Sequence, residues 1–545
     1  SSVAAGVRRI EAITGKAVED MMNQQQDLLT VARNVKQLRQ GYVDWLKWSI
    51  PLLVVWAGWI AYEVVCNLDR SPWPMMIGLG IGMTFGMLIG LRYRSKAIKT
   101  CDELIKQIDD RHWSYVDEDC RIMLPEDNLA LARLEVEADI EYLVVEGAYL
   151  YYSVSGDRKW LRKVMPHLEK GIEYVTSDPK RWDKTHGLVK RAYTIDTWDF
   201  TYMPDAGENR RIEPGKTPMS IMHGDNSGVW QEMNQLAVLN RALGKPVKSA
   251  YWESRASDLK EHIFRYLWNG RYFIHQLPLD CPPYDGYEAV RLSLSNTYDI
   301  NRGITDIAQS RSIIEEYMAR RDTTSAFAEW FSIDPPYRRF YIYDQGKYIN
   351  GCISPFTAGE LAKAALENGY ESYGWDIIRR CMELVRRDGG VKFLYSPATG
   401  MPASTGAGPS AWGAAAILSA IDESLAGIRN SGCAYDRISF SPRFPVTHYK
   451  ELRYFTGYEV NGTHVALRYI LADAGMRYQL TSPARHIDAH ILLPDGKECS
   501  AVLVNGREMP FSISKVGDSR YVDLGIKADG IADIQIVFRK NMVHD

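Results

Sequence analysis

The chain has 545 residues, enough for two or three domains, and its 46% hydrophobic and 24% charged side chains are the make-up of packed globular protein. A formal net charge of -3 gives no long-range attraction for a polyanion, which excludes nucleic acid as the expected partner. The eight cysteines are scattered, with no CxxC pair and no Cys/His spacing that suits a metal, so free and mostly buried thiols are expected rather than zinc or a disulfide framework.

The chain opens on Ser1 without a basic-then-apolar leader, as expected of a fragment or processed form. Residues 1–44 are polar and helix-prone, with Leu28, Leu29, Val31, Val35 and Leu38 at helical spacing. Two apolar runs follow within 45–93, Trp48 to Val65 and Trp73 to Leu91, each about as long as the ~20 residues a helix needs to cross a bilayer. The link NLDRSP supplies a turn and Trp48 and Trp73 suit an interface, so the pair predicts a two-span membrane hairpin through 48–91. Gly78, Gly82, Gly86 and Gly90 recur every four residues, a spacing that permits close helix pairing and hence self-association. Arg33, Lys36, Arg39 and Lys47 precede the hairpin and Arg92, Arg94, Lys96 and Lys99 follow it. By the positive-inside rule both ends face the cytoplasm, which predicts a protein of the bacterial inner membrane with its C-terminal domain on the cytoplasmic side.

A charged connector covers 94–125. From 126 to 430 the chain alternates helices and loops, with helices expected at 127–154, 158–175, 226–243, 247–268, 304–320, 355–368, 372–387 and 411–427. Some segments are rich in small apolar residues (AGELAKAALENG) and others are amphipathic (YGWDIIRRCMELVRRDG), as when inner helices are ringed by outer ones. The predicted architecture is therefore mainly α, a toroid of helical hairpins. The loops at 177–225, 269–303 and 321–354 exceed what mere connection needs and form the expected functional face. From 431 to 545 the period changes to two, in HVALRYIL, HIDAHILL, RYVDLGI and IADIQIVFR, with Asn461-Gly462, Asp495-Gly496, Asn505-Gly506 and Asp529-Gly530 as turns. A C-terminal β-sandwich is expected.

Three polar-aromatic clusters fall on the long loops. The first holds Asp183, Asp196, Trp198 and Asp199; the second is His223-Gly-Asp225-Asn-Ser227-Gly; the third brings Glu329 and Trp330 close to Asp334, Tyr337 and Asp344. Cleaving a glycoside takes one carboxyl to protonate the leaving oxygen and a second to activate water or attack the sugar. Acids beside tryptophan suit that work, because an apolar neighbour raises a carboxyl pKa and a ring can hold a pyranose. Each acid also has a plainer role: Asp225 as the N-cap of the following helix, Asp196 and Asp199 as turn formers, Glu329 as the partner of an arginine.

The helix pairs, the Asp225-x-Ser227 element opening an inner helix, Tyr395-x-Pro397-x-Thr399-Gly400 and Gly408-Pro409-x-x-Trp412-Gly413 together resemble the six-hairpin (α/α)6-barrel glycosidases. The resemblance is to the processing α-glucosidase, trehalase and glycogen-debranching group and spans 126–428. It implies an inverting, exo-acting hydrolase of oligosaccharides or glycans in which Asp225 donates the proton. The resemblance also places a basic Glu shortly before the Tyr-x-Pro-x-Thr-Gly element, where this chain reads Val391-Lys392-Phe393-Leu394-Tyr395. The base therefore falls to Asp196, Asp199, Glu329 or Glu360, or the domain binds sugar without cleaving it. A lyase or phosphorylase on the same toroid is the remaining alternative. Trp198, His223, Trp230, Arg302, Trp330, Tyr337, Glu360 and Trp412 are the expected substrate-binding side chains. No phosphate loop, nucleophile elbow, HExxH or EF-hand spacing occurs, so no cofactor is expected.

Overall fold

The computed structural model describes residues 136–195, 212–213, 215–279, 286–340, 342–406 and 408–539, with the short strands 121–124, 129–132, 201–203 and 207–209. Two compact units are present. In the unit Ala17–Arg133 the described part is an antiparallel hairpin of Arg121–Leu124 with Leu129–Ala132. The other unit holds the helices and the C-terminal sheets.

Nine α-helices of that unit are described: α1 Ile140–Ser155, α2 Arg158–Val175, α3 His223–Ala242, α4 Pro246–Leu267, α5 Ser295–Arg302, α6 Ile307–Thr323, α7 Pro355–Glu367, α8 Glu371–Asp388 and α9 Ala411–Ser419. Local chemistry sets several ends. Gly156 ends α1 in the left-handed region (φ 65°) and donates its N–H to Tyr152 O. Asp157 then caps α2 by accepting the N–H groups of Lys159 and Trp160. Asp306 and Gln309 form a reciprocal capping box on α6.

α1, α3, α5, α7 and α9 contact one another in series, and α2, α4, α6 and α8 pack outside their partners. Burial is heavy on inner helices such as α7, which buries eleven of its thirteen residues. Close approach needs glycine in two places. A Cβ on Gly228 of α3 would come within 2.8 Å of the Tyr142 ring of α1, and one on Gly359 of α7 within 2.4 Å of the Ala416 backbone of α9. The expected ring of six pairs is thus five inner helices among the described residues.

The C-terminal domain is two sheets. One has five strands in the spatial order Ile428–Asn430, Arg437–Phe440, His486–Leu492, Ser519–Lys527, Ser512–Val516. The other has six, in the order Glu451–Tyr458, Thr463–Ala472, Gly475–Thr481, Ile531–Phe538, Cys499–Val504, Arg507–Glu508. All pairings are antiparallel except Arg437–Phe440 with His486–Leu492. The Asn505-Gly506 turn has positive φ at both residues, 51° and 77°, as a tight hairpin turn demands. One continuous apolar core joins helices and sheets, from Leu161 and Trp252 to Ile487 and Ile534. The sheets dock where inner helix α1 ends: Asn430 Nδ2 and Ala434 N donate to Ser153 O at 2.9 and 2.8 Å, and Asn461 Nδ2 to Val154 O at 2.8 Å.

Two expectations are corrected. With 41% helix and 26% strand the protein is mixed rather than mainly α, because the loops carry small sheets of their own in addition to the C-terminal ones. The transmembrane hairpin is not supported: among the described residues no helix is long and apolar enough to cross a membrane, and 48–91 lie outside the described residues. Membrane attachment, the inner-membrane localisation and glycine-mediated self-association lose their footing with it.

Candidate functional site

The loops expected to carry function pack over the starts of the inner helices on an apolar core of their own, which includes Tyr193, Ile333, Tyr337, Phe340, Phe356 and Leu394. Beneath them a three-stranded antiparallel sheet of Arg191–Ala192, Met219–Met222 and Gln276–Pro278 leads directly into α3. Met222 takes the N-cap position, so Asp225 lies inside the first turn rather than capping it, where a carboxylate complements the helix dipole. Asp225 is 5% exposed and is gripped by Arg191, whose Nη1 stands 3.2 Å from Oδ1 and 3.5 Å from Oδ2. Asn226 ties the same turn to the loop by accepting the Val189 N–H (2.8 Å) and donating to Val189 O (2.9 Å).

His223 faces the other neighbour, α5. Its Nδ1 is 2.5 Å from Asp299 Oδ2 and its Nε2 is 2.8 Å from Ser293 Oγ. Ser227 Oγ donates to Asp299 Oδ1, and Arg302 Nη1 donates to Gly224 O and Ser227 Oγ, both at 2.7 Å. The His223–Asp299 pair is fully buried, so the network fixes the start of α3 against α5 in a low-dielectric setting.

Farther along, the inner helices meet around Arg302. Its guanidinium lies 5.5 Å from the Tyr142 ring centre of α1 and 5.7 Å from that of Tyr298 of α5. The Tyr298 hydroxyl accepts from Trp412 Nε1 of α9 at 2.5 Å, and Trp412 stacks on Phe356 of α7 with ring centres 3.9 Å apart. Glu232 of α3 is 1% exposed and its carboxyl is held well above the usual carboxylate range, first by burial and then by Glu146, with Arg302 opposing. Arg302 stays charged: burial works against its charge, but Tyr142, Asp299, Glu146 and Glu232 more than compensate.

The other expected site residues are distributed as follows. Glu329 is fully buried and both oxygens are taken: Arg380 Nη1 donates to Oε2 (3.0 Å), and Arg380 Nη2 (2.8 Å) and Tyr373 OH (2.6 Å) donate to Oε1. Burial alone would raise its pKa, but Arg380 and Tyr373 overcome burial and hold it below the ordinary value. Trp330 lies under the same arginine, 4.5 Å from its guanidinium, and is fully buried. Tyr337 is buried in a separate cluster, donating to Glu288 Oε1 at 2.6 Å with Arg291 stacked 3.7 Å from its ring centre. Trp230 turns outward to Lys260 of α4, 5.6 Å from its ring centre. Glu360 of α7 accepts from Asn301 Nδ2 at 2.7 Å. Asp196, Trp198 and Asp199 lie outside the described residues.

The structure thus gathers Asp225 and His223 at the start of α3, with Arg302 reaching that turn from the C-terminal end of α5, and places Trp412 beside Tyr298; Glu329, Trp330 and Trp230 serve other contacts. Sequence reasoning passed over Arg191, Glu288, Asp299, Glu146 and Glu232. A usable signal existed for Glu146, an acid on an otherwise apolar and aromatic helix face with Tyr142 and Tyr149 at i-4 and i+3.

No family model matches the chain, and no curated protein does. Among solved structures it is similar to a GH78 family rhamnosidase of Bacillus sp. GL1, at 16% identity and TM-score 0.46, covering 66% of this chain and 33% of that one. It is also similar to an α-L-rhamnosidase from Dictyoglumus thermophilum, at 13% identity and TM-score 0.46, covering 73% of this chain and 39% of that one. A third is the GH63 mannosylglycerate hydrolase from Thermus thermophilus, at 14% identity and TM-score 0.38, covering 53% of this chain and 76% of that one. The chain spans about a third of the length of the first of these. No residue role is carried from them to this chain.

Proposed function

We propose that this protein is a glycoside hydrolase that acts on oligosaccharides or glycans, with Asp225 as proton donor to the leaving glycosidic oxygen. The observation that carries the reading is the placement of Asp225: a carboxyl nearly closed off from water, in the first turn of an inner helix, beneath the long loops. Arg191 fixes its orientation through the small sheet, and as proton donor Asp225 must take up a proton as that ion pair gives way to the substrate. The second carboxyl comes from Asp196 or Asp199. Glu329 has both oxygens committed to Arg380 and Tyr373, and Glu360 is engaged by Asn301. In the reaction Asp225 gives its proton to the leaving oxygen as the C–O bond breaks, while the second carboxylate takes a proton from the attacking water. Inversion follows if that water enters from the face opposite the leaving group.

The reading is tested by incubating the full chain with α- and β-linked glycosides and following product anomers by NMR. Appearance of the opposite anomer first supports the inverting scheme. Retention of configuration would replace the water-activating carboxylate by a nucleophile.

A further inference from the structure

Among the described residues, α3 carries three side chains with a buried oxygen that has no hydrogen-bond partner, Glu232 Oε2, Gln235 Oε1 and Asn240 Oδ1. The Asn240 amide is turned to Glu169 of α2, to which its Nδ2 donates at 3.0 Å, which leaves Glu232 and Gln235. They are three residues apart, so they share a face of the helix, and Asp225 lies seven residues before Glu232, about 10 Å along the axis on the same face. Which way that face points follows from the turn before it: Gly228, four residues before Glu232, lies against the Tyr142 ring of α1, and Arg302 of α5, 5.5 Å from the centre of that ring, donates to Gly224 O and Ser227 Oγ. The charges that act on Glu232, Glu146 of α1 and Arg302 of α5, agree with that placement. A side chain of α3 that lies between α1 and α5 faces the interior of the helical arc rather than α4 outside it. Leaving a buried carboxyl oxygen without a partner costs about 1–3 kcal/mol. Burial, reinforced by Glu146, favours the protonated acid, which offers one donor and one acceptor. The Gln235 amide offers the same pair. Glu146 and Arg302 carry opposite charges, so the place has no net preference for an ion, and the Tyr142 ring supplies an apolar wall.

We propose that Glu232 and Gln235, with Glu146, Arg302 and Tyr142, form a binding subsite inside the helical arc for a neutral, polyhydroxylated ligand, namely one hexose or deoxyhexose ring. The acid and the amide satisfy adjacent hydroxyl groups, each of which is itself a donor and an acceptor. This deepens the hydrolase reading, since it assigns the pocket that would hold the terminal sugar, and it rests on that reading only for the identity of the ligand.

The test is binding of D-glucose, D-mannose, D-galactose and L-rhamnose to the full chain by isothermal titration calorimetry and saturation-transfer NMR, with thermal melting alongside. At least one sugar binds the wild type. Glu232→Leu weakens that binding at least tenfold and raises the melting temperature, because it removes an unpartnered carboxyl, whereas Glu232→Gln keeps binding within about threefold. Gln235→Leu weakens binding severalfold and serves as the second variant if Glu232→Leu does not fold. A structural role for Glu232 predicts the reverse, a lower melting temperature with binding unchanged, and that result overturns the proposal, as does absence of binding by every sugar. If sugar binds through Glu232 and no glycoside is cleaved, the subsite stands and the hydrolase reading falls. If glycosides are cleaved equally well by wild type and Glu232→Leu, the hydrolase stands and the subsite falls.

Discussion

Glu329→Gln separates a structural from a catalytic carboxylate. In the wild type Arg380 reaches Glu329 with two nitrogens at 2.8 and 3.0 Å, and Tyr373 adds a third bond at 2.6 Å, all to a residue with no exposure. Breaking a buried pair by removing one partner typically costs about 3–5 kcal/mol. The lower end applies, because Arg380 is 19% exposed and keeps Asp376, whose Oδ2 is 3.0 Å from its Nε. A loss of about 3 kcal/mol is therefore expected in urea unfolding followed by tryptophan fluorescence, for which Trp330 beneath Arg380 is a local reporter. The pH dependence follows from the lowered carboxyl pKa. The stabilisation is present in full above the free carboxyl value of about 4.3 and is lost as pH falls through the lower folded value. The gap between wild type and variant should thus hold from pH 7 to 5 and close in stronger acid. Replacing both Glu329 and Arg380 by apolar residues should cost less than the single change, since no uncompensated charge remains. A Glu329→Gln protein with unaltered stability and abolished hydrolysis would refute this assignment and return Glu329 to the chemistry.

Gly359→Ala should destabilise the protein by about 1–3 kcal/mol, seen as a lower urea midpoint, because the added carbon meets the Ala416 and Ile417 backbone at 2.4–2.5 Å and backbone cannot turn aside. Asp422, raised to about 6 chiefly by burial, keeps its proton in the folded state at pH values where the unfolded carboxyl has lost it. Wild-type stability should therefore fall as pH rises from about 4 to 6, where the free value is about 3.9. Asp422→Asn should flatten that slope and be the more stable protein at pH 7.5; unfolding curves at pH 5 and 7.5 decide it.

Much of the helical arc was legible because its signals are local. Apolar spacing placed α2, α4, α7 and α8 to within two residues at each end, and alternation with Asn-Gly turns marked the C-terminal strands. α1 was expected to begin at 127 and begins at Ile140, since Leu129–Ala132 pairs as a strand with Arg121–Leu124, a partner that no helical period reveals. α5 was missed because SNTYDINR has no apolar stripe; it is held by polar groups, with Asn296 bonded to Phe273 and Asp299 to His223 and Ser227. Asp225 is singled out by a short motif. Glu232 is not, because an acid inside QEMNQ reads as a solvated helix position until α1 and α5 are known to lie on either side of it. Glu329 stood out by its tryptophan neighbour, yet its partner Arg380 comes from a helix fifty-one residues away. Local aromatic context cannot distinguish an active carboxyl from a paired one.

The most direct test is the rate of glycoside hydrolysis by the full chain and by Asp225→Asn, compared at equal folded concentration across a panel of α- and β-linked oligosaccharides. The account predicts cleavage by the wild type and a fall of at least about a hundredfold in the variant, the scale of a lost general acid. Cleavage that survives the substitution undiminished, or a wild type that cleaves no member of the panel, would contradict it.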